Sequence, residues 1–136
     1  TYYYNCMPYQ TCPPTEEERR RYAAMDKFVY TLKNLPRFEV KLGRLECLGG
    51  EFIQKRVDIA LAVDMVRLSC GRMIGKAIIV TGDSDFVPAI EASKESGVVV
   101  ILYYSPSSIH DELLLAVDES VVISEELIRL VERAAL

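Results

Sequence analysis

The sequence predicts an α/β fold built around a mainly parallel sheet. Two short apolar runs, at residues 77–80 and 98–104, show no alternation of polar and apolar positions, which is typical of strands buried on both faces. A helical pattern at residues 86–96 lies between them and ends at Gly97. A strand, a helix and a strand joined by short links require a right-handed crossover, so the two strands should run parallel.

Length and composition predict a single domain over residues 1–136. Of the 136 residues, 50% are hydrophobic and 26% are charged, and the net charge is −4. This charge argues against a protein that holds nucleic acid by bulk electrostatics, but not against a metal-dependent nuclease, because bound cations offset acids locally. No apolar stretch approaches the roughly 18 residues of a membrane span. The 4 cysteines form no CxxC pair, which speaks against zinc and predicts reduced thiols in the cytoplasm.

The first half of the chain predicts a strand, a loop, a helix and a second strand. Residues 1–4 are aromatic and favour a strand, and the proline-rich residues 5–14 predict a loop. Thr15 and Glu18 have the spacing of a capping box at the start of a helix, and Pro36 ends that helix. Residues 38–48 alternate weakly and predict a strand, followed by an irregular glycine-rich segment.

The second half continues the alternation of helices and strands. Apolar residues at helical spacing predict a helix from about residue 55 to 70; they are Val57, Ala60, Leu61, Met65 and Leu68. After the two buried strands, a helix is expected from Ile109 and a short strand at residues 121–123. Ser124 then caps a terminal helix that is predicted to run to Leu136.

Two acidic residues follow the first buried strand. Asp83 and Asp85 come directly after Gly82, and open α/β sheets bind ligands at the carboxyl ends of their strands. Two acids held there repel each other unless a cation, a basic group or a shared proton compensates them. A turn in which Asp83 or Ser84 caps the next helix would explain one acid alone. The pair therefore favours a divalent-cation site.

Further polar residues are predicted near this edge. Asp58 falls in the first turn of its helix, where the helix dipole favours an acid, and it is also placed to reach the edge of the sheet. Asp64 lies six residues later on another side of the helix, where it could bind a cation, a backbone amide or a lysine. Ser105 and Ser107 follow the second buried strand, where their hydroxyls either meet a phosphate or cap the next helix.

These motifs resemble the NYN domain, a PIN-like nuclease fold. The resemblance rests on K-R-V-D at residues 55–58 with Asp64 downstream, on T-G-D-S-D-F at residues 81–86 with Pro88, and on S-P-S-S at residues 105–108. It implies a three-layer α/β/α, Rossmann-like fold with a central, mainly parallel sheet. It also implies endonucleolytic hydrolysis of RNA phosphodiester bonds by acids that gather around Mg²⁺ or Mn²⁺ at the carboxyl edge.

The resemblance also assigns roles to individual residues. The catalytic acids are Asp58, Asp83 and Asp85, and the metal ligands are these three with Asp64. Carboxylate oxygens suit Mg²⁺ and Mn²⁺, which orient and activate a water. The residues expected to contact the substrate are Lys55, Ser84, Ser105, Ser107 and Asn5, although Lys55 could instead pair with Asp58. The sequence does not place His110 near the acids.

The chain departs from the family pattern in its first strand. That strand ends in an acid and should precede Thr1, so we expect either that residues upstream are missing here or that this is a degenerate member. The second reading predicts a catalytically weak NYN-like module that binds RNA or a protein partner. A phosphatase with a D-x-D nucleophile fits less well, because its motif would follow the first strand.

Partners are predicted with less detail than the site. RNA is the expected partner, a homodimer is left open, and no membrane is involved. The tyrosines near the start of the chain either pack in the core or stack on bases; they are Tyr2, Tyr3, Tyr4 and Tyr9.

Overall fold

The computed structural model describes residues 1–48 and 51–132, with side chains described outside residues 46–55. The chain forms two compact units, Thr1–Leu61 and Ala62–Leu136, which we call the N-terminal and the C-terminal unit. Parallel strands alternate with helices, so the chain has the α/β fold that the sequence predicts. The assignment of the whole chain to one domain stays a prediction.

The N-terminal unit contains a parallel and an antiparallel pair of strands. β1 (Tyr2–Asn5) pairs in parallel with β2 (Glu39–Leu42), and α1 (Glu16–Lys33) connects them. β3 (Arg44–Leu48) then pairs antiparallel with β4 (Glu51–Lys55). α1 packs against this pair of strands, and the ring of Tyr3 meets Phe28 edge-on with 5.8 Å between the centroids.

The antiparallel pair corrects two sequence predictions. A single strand was expected over residues 38–48, but it is divided at Gly43 into β2 and β3. β4 was missed, because the sequence analysis predicts no strand between the glycine-rich segment and the next helix and takes Lys55 as the start of that helix. The sequence does carry a hairpin signal, since a Gly-Gly pair is typical of the two-residue turns that join hairpin strands. Gly49 and Gly50 themselves lie outside the described residues.

The start of α1 is the capping box that the sequence predicts. The Thr15 hydroxyl accepts from the Glu18 backbone N–H (3.2 Å), and the Glu18 carboxylate accepts from the Thr15 N–H (2.8 Å). The same carboxylate accepts from the hydroxyl of Thr11 (2.6 Å), which ties the preceding loop to the helix. The Thr11 hydroxyl and then the Thr15 N–H lower the pKa of Glu18 to about 2. This stabilisation therefore requires the ionised carboxylate.

The C-terminal unit contains a parallel sheet and most of the helices that the structure describes. α2 (Val57–Cys70) begins in the N-terminal unit and continues into this one. The remaining elements are β5 (Lys76–Val80), a 3-10 helix (Ser84–Phe86), α3 (Val87–Glu95), β6 (Val99–Tyr104), α4 (Asp111–Ala116), β7 (Glu119–Val122) and α5 (Glu125–Val131). The predicted extension of the last helix to Leu136 lies partly outside the described residues.

The sheet of the C-terminal unit has the order β5-β6-β7, and its neighbouring strands are parallel, as predicted for β5 and β6. Ile79 lies opposite Leu102 in this register, and both are buried. α3 packs on β6 and contributes Ile90, which has no exposed surface. Ile79 and Leu102 therefore share one face of the sheet and belong to the core of this unit.

The other face of β5 differs from the sequence prediction. Ile78 and Val80 are 62% and 67% exposed, so β5 is buried on one face and not on both. The reason is that no helix among the described residues covers the side chains at these two positions.

A polar network connects β6 to α3 and to the segment that precedes β7. Asp118 accepts from the backbone N–H of Val100 (2.8 Å) and pairs with the ammonium of Lys94 (3.3 Å). Lys94 also donates to the carbonyl oxygen of Ala116 (2.7 Å). The Val100 N–H, followed by Lys94, lowers the pKa of the Asp118 carboxyl. The network joins α3, β6 and the link that precedes β7.

Across residues 1–48 and 51–132, none of the helices combines the length and the apolar character that a membrane crossing requires.

The capping box predicts a specific dependence of stability on pH. Because the folded-state pKa of Glu18 is about 2 and its ordinary value is 4.5, its contribution is complete above pH 4.5 and is lost as the pH falls toward 2. We expect Glu18→Gln to be less stable than the wild type near neutral pH and to show a smaller loss of stability over this acid range. Urea unfolding at several pH values measures both effects.

Glu17→Gln is the matched control, because it removes the same charge one position earlier in the same first turn. Equal acid sensitivity of the wild type and Glu18→Gln would contradict the role given to this carboxylate.

Candidate functional site

The predicted acids lie in an ordered turn at the carboxyl end of β5. The hydroxyl of Thr81 accepts from the backbone N–H of Asp83 (3.1 Å), and Asp83 Oδ1 accepts from the backbone N–H of Asp85 (2.9 Å). Asp83 is thereby the N-cap of the 3-10 helix. Both aspartates are exposed, so their carboxylates face solvent rather than the core.

The capping bond separates the roles of the two acids. The sequence analysis gave a capping role as the alternative to metal binding for Asp83, and its side chain does cap the turn. That bond engages one oxygen, and a carboxylate has a second oxygen with further lone pairs. Asp85 takes part through its backbone N–H, so capping does not explain why this position carries an acid. The turn therefore positions two exposed carboxylates without using up either one.

The loops after β5 and β6 meet at this edge. Gly82 lies against the backbone of Ser108, so closely that a Cβ atom at position 82 would overlap the Ser108 carbonyl oxygen. The second loop is closed by a hydrogen bond between the Ser105 and Ser107 hydroxyls (2.9 Å) and by the Ser108 N–H, which donates to the Ser105 carbonyl (3.1 Å). The prediction that the serine loop shares an edge with the acids is confirmed.

Thr81 and Gly82 are the residues at this edge whose roles the sequence reasoning missed. The Thr81 hydroxyl orders the turn, and the bare backbone of Gly82 allows the second loop to approach. The signal was present, because a glycine between a strand and a polar turn is typical of positions where another backbone comes close.

Asp64 has a different environment from the exposed pair. It is 6% exposed on α2, and its Oδ1 accepts from Arg67 Nη2 at 3.2 Å, one turn further along the helix. The guanidinium compensates a carboxylate that burial alone would destabilise. Of the partners expected for Asp64, the structure therefore shows a basic side chain, although arginine rather than lysine. Its assignment as a metal ligand stays a prediction.

Ser84 begins the 3-10 helix, and the three predicted residues not yet placed belong to the N-terminal unit. Asp58 is exposed in the first turn of α2, and Lys55 is the last residue of β4 rather than the start of the helix, with its side chain outside the described set. Asn5 ends β1, donates to the Tyr3 hydroxyl (2.6 Å) and accepts from the Cys6 N–H (2.8 Å). These bonds give Asn5 a local structural role. Its contact with substrate stays a prediction.

The donor set at the carboxyl edge fits a hard divalent cation with few protein ligands. Among the residues that the structure describes, no three side chains of His, Cys, Asp or Glu form a group that could hold a metal. Mg²⁺ keeps several waters and is commonly bound through one or two carboxylates together with substrate phosphates. The exposed carboxylates of Asp83 and Asp85 are suited to that mode. A cage built from protein ligands alone is not present in the described part of the chain.

These features define a class of protein. Alternating helices and parallel strands, with exposed acids after β5, are consistent with a PIN-like α/β fold. A family model for the NYN domain matches residues 10–125, and the chain therefore belongs to the NYN domain family. NYN domains are nuclease-like members of the PIN superfamily, and nucleases of this kind generally use divalent metals.

The structure is similar to the crystal structure of a protein of unknown function from Vibrio parahaemolyticus, with a TM-score of 0.62 and 22% sequence identity. The match covers 76% of this chain and 62% of the Vibrio protein, so the chain spans less than two thirds of that protein. At this identity the similarity shows the fold alone. A comparison with curated protein sequences found no match.

The close approach of the two loops predicts an unusual sensitivity at position 82. We expect Gly82→Ala to lower the free energy of unfolding by about 1–3 kcal/mol, because the new methyl group must displace the Ser108 backbone. Chemical denaturation of the two proteins measures the difference.

Gly75→Ala is the matched control, because a Cβ atom at position 75 meets nothing within 4 Å. Equal stability of the two alanine variants would contradict a close contact between the backbones of Gly82 and Ser108.

Proposed function

We propose that this protein is a metal-dependent endoribonuclease that hydrolyses RNA phosphodiester bonds at the carboxyl edge of β5. Membership of the NYN domain family supports a nuclease-type hydrolase. The observation that carries the proposal is the ordered turn that presents Asp83 and Asp85 to solvent at the end of a parallel strand. Exposed carboxylates in one short turn at this position are suited to bind a cation that also contacts a polyanionic substrate.

Asp83 and Asp85 are the residues that would hold the cation, with Mg²⁺ and Mn²⁺ as the candidates. We include Asp58 as a further ligand and Asp64 as a residue that supports the site, on the family pattern. When bound, the ion would polarise the scissile phosphate and lower the pKa of a water. The two acids would bind the cation and orient it. Because the capping bond restricts the rotation of Asp83, less side-chain freedom is lost when the cation binds.

The polar groups around the acids are proposed to position the RNA backbone. The hydroxyls of Ser84, Ser105 and Ser107 can donate to phosphate oxygens, and those of Ser105 and Ser107 are held on an exposed loop next to the acid turn. Lys55 and Asn5 are the further candidates for substrate contact. A group that positions phosphate fixes the register of the substrate but does not read its sequence.

The alternative is a module that binds RNA, or a protein partner, with little or no catalysis. It is favoured by the finding that the described residues contain no cluster of three potential metal ligands. The two candidate functions differ in a measurable property, since the module needs neither a divalent cation nor the charge on Asp83 and Asp85.

The nuclease proposal predicts that cleavage depends on the charge of the two acids. We expect Asp83→Asn and Asp85→Asn each to lower the rate of RNA cleavage in Mn²⁺ by about a hundredfold or more, the scale of losing an electrostatic group at a reacting site. Asparagine at position 83 retains the oxygen that accepts from the Asp85 N–H, so stability should change little. Cleavage of labelled RNA by the full-length polypeptide, with an EDTA control, measures the effect.

Glu119→Gln is the matched control, because Glu119 is an exposed acid at the amino end of β7, at the opposite edge of the same sheet. Wild-type rates in the asparagine variants, or folded protein that neither cleaves RNA nor binds Mn²⁺, would contradict the nuclease proposal and favour the binding module.

A further inference from the structure

The loop after β6 contains three serines, and Ser108 is the one that lies against the acid turn at residues 81–85. Apart from the chain neighbours of Gly82, the three atoms closest to a Cβ atom placed on that glycine all belong to Ser108. They are its carbonyl oxygen, its carbonyl carbon and its hydroxyl oxygen, the last at 3.2 Å. Asp83 is the next residue after Gly82. Because Ser108 is exposed, its side chain reaches solvent at the edge that carries the two carboxylates.

The hydroxyl of Ser108 is not used by the local structure. The hydroxyls of Ser105 and Ser107 hydrogen-bond to each other at 2.9 Å, whereas that of Ser108 bonds to no other group among the described residues. The backbone N–H of Ser108, rather than its side chain, closes the loop onto Ser105. The next helix, α4, begins after His110 without a side-chain cap. Helix capping, the alternative to phosphate binding for this loop, is therefore not observed at α4.

We propose that Ser108 is a substrate-binding residue of this edge, whose hydroxyl donates a hydrogen bond to a non-bridging phosphate oxygen of RNA. This inference rests on the proposed function for the cation at Asp83 and Asp85 and for RNA as the ligand. A hydroxyl without a partner in the protein has its donor free, and a hydrogen bond to a charged oxygen is stronger than one to a neutral group. Removal of the hydroxyl should therefore weaken binding of the phosphate.

A neutral donor suits a position next to two acids. Lysine or arginine at position 108 would pair with the carboxylates and compete with a cation for them. A hydroxyl donates one hydrogen and carries no charge, so the carboxylates stay available to the cation and the phosphate gains a contact of its own. A phosphate contact fixes the position of the strand and does not read its bases. We therefore expect Ser108 to act equally on RNAs of different sequence.

The test is the affinity of the full-length polypeptide for a short fluorescent oligouridylate, measured with Ca²⁺ in place of Mn²⁺ and with the strand shown to stay intact. Ca²⁺ is also bound through carboxylate oxygens and therefore suits the same donors. We expect Ser108→Ala to bind about tenfold more weakly, which is the scale of one hydrogen bond to a charged group. Ser108→Thr keeps a hydroxyl and should bind like the wild type.

Binding of Mn²⁺ in the absence of RNA separates a phosphate contact from a disturbed edge. Because the acids and not Ser108 are proposed to hold the cation, Ser108→Ala should leave the affinity for Mn²⁺ and the midpoint of urea unfolding unchanged. Ser120→Ala is the matched control, since Ser120 is an exposed serine on β7 of the same sheet, and it should bind the oligouridylate like the wild type. In the wild type, backbone amide signals of residues 105–108 should shift when the oligouridylate binds, and that of Ser120 should not.

Equal affinity of the wild type and Ser108→Ala for the oligouridylate would overturn the proposal, and so would a wild type that does not bind it. A loss of Mn²⁺ affinity in Ser108→Ala would assign the residue a structural role instead. Cleavage in Mn²⁺ with the same kcat/KM in the wild type and Ser108→Ala would overturn the role of Ser108 and leave the nuclease intact. Hydroxyl-dependent binding without any cleavage in Mn²⁺ would support the role of Ser108 and count against the nuclease.

Discussion

The parallel pairing of β5 with β6 is the constraint on which the candidate site depends. It brings the carboxyl ends of both strands to one edge, so that the acid turn and the serine loop become neighbours although Asp85 and Ser105 lie 20 positions apart in the sequence. The two loops then meet backbone to backbone at Gly82 and Ser108. Any side chain at position 82 would separate them, and for this reason the smallest residue stands between the strand and the acids.

Local hydrogen bonds convert this edge into a surface with defined functional groups. Asp83 caps the turn with one oxygen and presents the rest of its carboxylate to solvent, while Asp85 contributes its backbone to the cap and its side chain to the surface. The buried acid of α2 is treated differently, because Asp64 is paired with Arg67. A buried carboxylate needs a basic partner, whereas the exposed carboxylates of Asp83 and Asp85 remain accessible from solvent. The exposed arrangement is the one suited to a cation that arrives with substrate.

Local signals predicted most elements, and long-range contacts account for what was missed. The capping box at Thr15 and the glycine at position 97 determine helix ends within a few residues, and both were read correctly. The exposure of Ile78 and Val80 could not be predicted, because an apolar run does not show whether one face of the strand or both are covered. Pairing partners such as Arg67 also escape prediction, since a buried carboxylate can be compensated in several ways.

The most direct test of the account is a titration of Mn²⁺ followed through backbone amide signals, in which the paramagnetic ion broadens the signals nearest to it. If Asp83 and Asp85 bind the ion, signals of residues 82–86 and 105–108 should be lost first, because the two loops adjoin. Signals of Lys76 and Val99, at the amino ends of β5 and β6, should persist. In the double variant Asp83→Asn, Asp85→Asn, this selective loss of amide signals should disappear. Broadening centred on other carboxylates, or identical behaviour of the double variant, would contradict a cation site at this edge.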